Sequence, residues 1–294
     1  MWIEALRLRT LPLSWAGIVA GAGMAAHEKA FRWDIFLLSL LTASLFQIVS
    51  NLANDYGDGV KGTDRNRKGP LRAVQSGVIS PAEMKRAVIL TSVLSALSAL
   101  LLLWRAFGRI DTVFLIYVLL TAAAIWAAIK YTVGRSAYGY AGLGDLFVLL
   151  FFGLVAVGGS YYLYTHRWNP DVWLPALAIG MMSVAVLNLN NMRDRETDLT
   201  AGKHTVPVKI GLPNAFAYHR ALLMGAALAV VYLCIRLECR RAWAYGAALP
   251  PLYLWYKSYA LQRLNDPAAY NRALKQTSLL TLLTAVWLAL ALAF

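Results

Sequence analysis

Apolar stretches of about 17 to 23 residues recur along the chain, separated by short segments that carry most of its charge. A stretch of that length crosses a hydrocarbon core about 30 Å thick as a helix. Such stretches fall at roughly 11–27, 35–55, 87–104, 112–130, 143–165, 172–191, 215–235, 242–260 and 277–294. They are rich in Leu, Ala and Gly and lack the shorter, alternating pattern of membrane barrel strands. The pattern predicts an all-α membrane protein with about nine transmembrane helices. One integral-membrane domain is expected over residues 1–294.

Composition agrees, with 59% hydrophobic and 15% charged residues. The longest polar insert, about 57–86, is loop-sized and leaves no place for a second, soluble domain. The first apolar stretch lacks a convincing small-residue cleavage site and is followed by further spans, so it is expected to stay. With the N-terminus inside, 20 of the 28 Lys and Arg fall in inner segments. That bias predicts a cytoplasmic N-terminus and an outward C-terminus. It also accounts for most of the net charge of +13, so no nucleic-acid partner is implied. Cys234 and Cys239 are either a disulfide or two ordinary thiols, and the four scattered histidines give no zinc-ligand pair.

Two acid-rich stretches directly continue apolar runs, and carboxylates are expensive there unless paired. The first is Asn51-Leu-Ala-Asn54-Asp55-Tyr-Gly-Asp58, the second Asn190-Asn191-Met-Arg-Asp194-Arg-Glu-Thr-Asp198. With Asp64 they hold six of the 15 acidic residues, and both are expected on the cytoplasmic side. On a continuing helix Asn51, Asp55 and Asp58 share a face, as do Asn190, Asp194 and Asp198. Oxygen-only ligands of this kind suit Mg²⁺, which takes a few carboxylates and completes its shell with water and phosphate oxygens. A glycine-containing basic loop follows each motif: Lys61, Arg65, Arg67, Lys68 and Arg72 after the first, Lys203 and Lys209 after the second. These side chains can hold phosphate oxygens; taken singly, they serve equally as positive-inside residues.

Each motif closes the second helix of a four-helix half, which points to a parallel pseudo-repeat with two metal-binding faces over one cavity. The chemistry that needs this arrangement is removal of diphosphate from an allylic carbon. Mg²⁺ held by Asp55, Asp58, Asp194 and Asp198 would neutralise the leaving group. Lys and Arg would assist. The apolar interior would take the isoprenoid tail and keep water from the cation. A third element, Lys130–Asp145, offers Tyr131 and Arg135 as a Tyr-x-x-x-Arg pair for diphosphate, although interfacial tyrosines are also common belt residues.

Together the three elements resemble the UbiA-type superfamily of intramembrane aromatic prenyltransferases. Asn54, Asp55 and Asp58 match the family's Asn-Asp-x-x-Asp-x-x-x-Asp pattern, which departs at Gly62, with an acid two residues later at Asp64. Asp194 and Asp198 match the second motif, with Asn190 in place of an earlier acid. Gly69-Pro-Leu-Arg-Ala-Val-Gln-Ser-Gly77, Tyr131–Asp145 and Leu6–Leu13 resemble the 1,4-dihydroxy-2-naphthoate polyprenyltransferase branch, over about residues 5–220. That resemblance implies about nine helices in a ring around a central cavity, and a Mg²⁺-dependent enzyme of menaquinone biosynthesis in a bacterial inner membrane. It would join a polyprenyl group from polyprenyl diphosphate to 1,4-dihydroxy-2-naphthoate with loss of carbon dioxide, giving demethylmenaquinone. The implied catalytic and metal-binding residues are Asp55, Asp58, Asp194 and Asp198. Asn51, Asn54, Lys61, Arg72, Tyr131, Arg135, Asn190, Asn191 and Lys203 would contact substrate. Asp64 and Asp145 are candidate bases.

Two other readings stand beside this one. Another aromatic acceptor, such as 4-hydroxybenzoate, would leave the motifs unchanged. A cation-coupled transporter also uses repeats and membrane acids, but near the bilayer midplane. A CDP-alcohol phosphotransferase would need an Asp-Gly-x-x-Ala-Arg opening, which the chain lacks.

Overall fold

The computed structural model describes residues 2–62, 72–134, 137–264 and 266–294, which form helices and turns only. A short helix α1 (Trp2–Leu6) leads into α2 (Leu11–His27), α3 (Trp33–Lys61), α4 (Pro81–Phe107) and α5 (Thr112–Lys130). These are followed by α6 (Gly144–Thr165), α7 (Trp173–Arg193), the short α8 (Arg195–Thr200), α9 (Val206–Arg236), α10 (Leu249–Leu264) and α11 (Pro267–Ala293). Seven of them, α3 to α7, α9 and α11, are long and apolar enough to cross a membrane. The shorter α2, of 17 residues, coincides with the stretch expected at 11–27, whereas α10, of 16 residues, begins seven residues later and ends four residues later than the stretch expected at 242–260. The protein is a multi-pass membrane protein.

Local chemistry sets the ends of these helices. Ser80 and Glu83 form a reciprocal capping box ahead of α4, with Pro81 in its first turn. Asp111 and Asp266 accept backbone amides at the starts of α5 and α11. The helix carrying the first motif stops at Gly62, which takes the left-handed conformation at φ 72° and donates its amide to the Asp58 and Gly59 carbonyls. Only glycine adopts that backbone freely, which gives a physical reason for Gly62 where the family pattern has Asp. The second motif does not ride on one continuous helix: α7 ends at Arg193, Asp194 caps it at φ −92°, ψ 7°, and α8 begins at Arg195. Within α9 the backbone breaks at Gly211, just before Pro213. Residues Leu149–Gly159 of α6 are wound as a wider π-helix.

Large apolar residues face outward on several helices, and small or hydroxyl residues stand at some of their contacts. Helix α4 exposes Ile89, Leu90, Val93, Leu97, Leu101 and Trp104, and buries Ser95, Ser98 and Ala99. Ser98 meets Thr42 of α3 at 2.8 Å, hydroxyl to hydroxyl. Between helices in lipid there is no hydrophobic driving force, so close packing and interhelical hydrogen bonds must hold them together. Helix α2 shows this best. A Cβ on Gly17 would stand 2.5 Å from the Ala156 Cβ, and one on Gly21 would stand 2.5 Å from the Val157 carbonyl oxygen. The two glycines are four residues apart, so one face of α2 lies directly against α6. Helices α1 to α7 and α11 line a cavity of about 1120 Å³. Behind this wall α9 packs on α7, and α10 packs on α9 and α11.

Gly21→Ala should therefore overpack the α2–α6 contact and cost about 1–3 kcal/mol of stability. Thermal unfolding in detergent checks this; an unchanged midpoint would mean the helices are not in close contact there.

Candidate active site

At one end of the cavity, Asp55 and Asp58 line the wall beside Asn54, Arg72, Tyr131 and Lys203. Both acids lie in the last two turns of α3, 1% and 4% exposed. Their neutralisation differs. Asp55 accepts two backbone amides, Ala73 on Oδ2 and Val74 on Oδ1, each at 3.1 Å. It thereby pins the tight turn that follows Arg72. Asp58 accepts the Tyr140 hydroxyl at 3.0 Å and faces the Arg72 guanidinium at 3.8 Å. Asn51, one turn earlier, gives its amide hydrogens to the Leu6 carbonyl and the Thr10 hydroxyl, both at 2.9 Å. This fastens the N-terminal segment over the cavity. The Asn54 carbonyl oxygen accepts the Thr132 hydroxyl at 3.3 Å.

The second motif faces the first across Tyr140 and Lys203. The Lys61 ammonium sits over the Tyr140 ring at 3.8 Å, and that of Lys203 lies 5.6 Å from the same ring. The His204 amide donates to the Tyr140 carbonyl at 2.9 Å, tying the two loops together. Lys203 stands 3.7 Å from Asp198. Burial alone would lower the Lys203 pKa, but Tyr131, Asp198, Asp58 and Tyr140 hold it above the usual lysine range. It stays cationic at neutral pH. Burial pushes the Tyr131 phenol up to about 12, so that ring stays neutral. Asp194 is held by its own neighbour: Arg193 donates Nε to Oδ1 at 2.7 Å and Nη2 to Oδ2 at 2.6 Å. Arg193 also reaches Asn190 at 2.8 Å and Asn271 of α11 at 2.7 Å. Asn191 is buried, and its side-chain oxygen finds no hydrogen-bond partner among the described residues.

Arg135 and Asp64 lie outside the described residues, as do Arg65, Arg67 and Lys68. Asp145 accepts the Tyr218 hydroxyl at 2.9 Å. Three residues that the spacing argument did not select, Tyr140, Arg193 and Asn271, connect the elements. Tyr140 and Arg193 stand inside the quoted motifs, but Asn271 lies some 70 residues away, on a helix with no motif of its own. The motif acids sit at helix ends, which disfavours a midplane coupling site. Cys234 and Cys239 are both free thiols.

Among the described residues no three His, Cys, Asp or Glu side chains stand close enough to hold a metal ion. The donors are nevertheless all oxygens. A carboxylate oxygen that accepts one N–H keeps a second lone pair, and Mg²⁺ needs only one or two carboxylates when phosphate and water complete its shell. Asp55 and Asp58 fit such an ion. Asp194 keeps the same lone pairs, but beside the Arg193 guanidinium.

A wall of acids, cations and neutral phenols at the end of an apolar cavity, inside a bundle of membrane helices, defines an intramembrane site for a charged head and an apolar tail. The sequence profile of the UbiA prenyltransferase family matches residues 14–280, and the chain belongs to that family. It is 45% identical over 285 residues to a 1,4-dihydroxy-2-naphthoate octaprenyltransferase of Escherichia coli (strain K12), covering 96% of this chain and 92% of that protein. Against the protein of the same name in Mycobacterium tuberculosis it is 38% identical over 234 residues, covering 80% and 78%. The fold resembles an apo UbiA homolog from Aeropyrum pernix K1 (TM-score 0.70, 15% identity, 95% and 97% of the two chains). It also resembles a UbiA homolog from Archaeoglobus fulgidus bound to GPP and Mg²⁺ (TM-score 0.65, 16% identity, 97% and 98%).

Asp55→Ala should leave the bundle folded by circular dichroism while the Ala73 and Val74 amides exchange faster, since both lose their acceptor. Turnover should fall by about 10²-fold or more. Unchanged exchange at those amides would show that Asp55 does not hold the turn.

Proposed function

We propose that the protein transfers a polyprenyl group from polyprenyl diphosphate to 1,4-dihydroxy-2-naphthoate. Diphosphate and carbon dioxide are released and demethylmenaquinone is formed, a step of menaquinone biosynthesis. The observation that carries this reading is the cavity itself: about 1120 Å³, walled along its length by apolar side chains such as Phe151 and Phe152, with Asp55, Asp58, Arg72, Arg193 and Lys203 gathered at one end. An amphiphile with a multiply charged head and a long tail matches that distribution. The names of the relatives at 45% and 38% identity agree with it.

Arg72 and Lys203 would receive phosphate oxygens, and Tyr131 stays neutral above them. Mg²⁺ would be held by Asp55 and Asp58, and by Asp194 and Asp198 on the facing motif, and when bound it neutralises charge building on the leaving diphosphate. The C–O bond of the allylic diphosphate breaks with its electron pair leaving on diphosphate. The electron-rich ring carbon forms the new C–C bond, and the carboxylate departs as carbon dioxide, returning its bonding pair to the ring. Apolar walls keep water from the allylic cation. The excess of Lys and Arg on one side supports a cytoplasmic face for the motifs and the N-terminus, in a bacterial inner membrane.

Mass spectrometry of the product tests this. Detergent-purified protein with Mg²⁺ and a prenyl diphosphate is offered 1,4-dihydroxy-2-naphthoate and 4-hydroxybenzoate together. A prenylated naphthalene without its carboxyl mass is expected; prenylated hydroxybenzoate that keeps its carboxyl would overturn the acceptor, and no product would overturn the reaction.

A further inference from the structure

The two acidic motifs do not present the same charge to the cavity. Asp55 and Asp58 form part of its wall, whereas at the second motif and the loop after it the wall includes Asn190, Arg193 and Lys203 but neither Asp194 nor Asp198. Arg193 is 8% exposed and heavily committed: both Asp194 oxygens, the Asn190 oxygen and the Asn271 oxygen all accept from it at 2.6–2.8 Å. The pairing of residues 193 and 194 is itself unusual. Consecutive side chains on a regular helix point away from each other. Here the helix ends between them, and the non-helical backbone of Asp194 lets its carboxylate turn onto the neighbouring guanidinium. The break in the second motif therefore installs a close bidentate, charge-assisted pair where the first motif has backbone amides, a phenol and a guanidinium no nearer than 3.8 Å.

A guanidinium is always charged and its planar fork matches a carboxylate and a phosphate equally well. A divalent cation arriving alone at Asp194 finds only the remaining lone pairs of that carboxylate and must sit beside a fixed positive charge. A cation arriving with a diphosphate meets no such conflict, because the phosphate gives Arg193 a second bidentate partner. We propose that Arg193 is a resident counter-cation that closes the second acidic motif to divalent metal until a diphosphate enters the cavity. Metal recruitment at that motif is thus coupled to the prenyl donor, and Arg193 is a positioning residue that acts through Asp194. This rests on the diphosphate chemistry proposed above. Asn271 anchors the guanidinium from α11 without touching the carboxylate, which separates the gate from a simple staple between α7 and α11.

The test counts Mn²⁺ bound to the full-length, detergent-solubilised protein by electron paramagnetic resonance, with and without inorganic diphosphate and against protein-free blanks. Wild type without diphosphate should bind Mn²⁺ only at the first motif and gain a further ion when diphosphate is added. R193Q should hold that further ion without diphosphate, at least tenfold more tightly than wild type, and R193Q/D194N should lose it. R193K keeps the charge but not the fork, and should show an intermediate gain. N271A should keep wild-type Mn²⁺ binding while its thermal midpoint falls. Wild-type-like binding in whichever Arg193 variant folds would overturn the gate, and so would a gain of the further ion in N271A. Prenyl transfer by wild type is measured alongside. Absence of product defeats the proposed reaction, while the Mn²⁺ count still decides the role of Arg193.

Discussion

Asp55, Asp58, Asp194 and Asp198 are each less than a tenth exposed at one end of an apolar bundle. Everything around them answers the cost of keeping charge there. Removing a carboxylate from water is unfavourable by several kcal/mol unless hydrogen bonds and opposite charge replace the lost hydration. Four different devices supply that replacement: backbone amides at Asp55, a phenol and a nearby guanidinium at Asp58, a bidentate guanidinium at Asp194 and an ammonium at Asp198. The tight turn after Arg72, the loop around Tyr140 and the break between α7 and α8 are the backbone shapes these devices require. One charge problem therefore organises three loops that share no contiguous sequence.

The rest of the bundle supports this end by being close-packed where helices touch and open where substrate must lie. Small residues on α2 bring it against α6, and α2 also packs heavily on α11. Large residues such as Leu102, Tyr117 and Phe151 project instead into the cavity wall. Similarity to archaeal UbiA homologs at about 15% identity fits a fold whose demands are general: small groups at helix contacts, apolar groups toward lipid.

Much of the architecture was legible in the chain itself. Apolar stretches locate the helices because a bilayer imposes one length and one polarity on anything that crosses it. The motifs were legible because acids at membrane helix ends are too costly to be incidental. Other features were less so. Asn51 shares a helical face with Asp55, yet its amide is spent on Leu6 and Thr10, a choice set by where the N-terminal segment folds back. Asn190, Asp194 and Asp198 read as one continuous face, and the helix breaks among them.

By itself, then, the sequence determined which segments are long and apolar enough to cross a membrane, which charged residues stand at their ends, and the family to which those motifs belong. These are properties of composition and near-neighbour spacing, governed by local hydrogen bonding and transfer from water. Only the tertiary structure decided that Tyr140 stands between Asp58 and Lys203, that Asn271 reaches Arg193 from the last helix, and that the second motif shows the cavity its cations rather than its acids. Those relations join residues tens of positions apart. They depend on how loops close and helices cross, which side-chain periodicity does not encode.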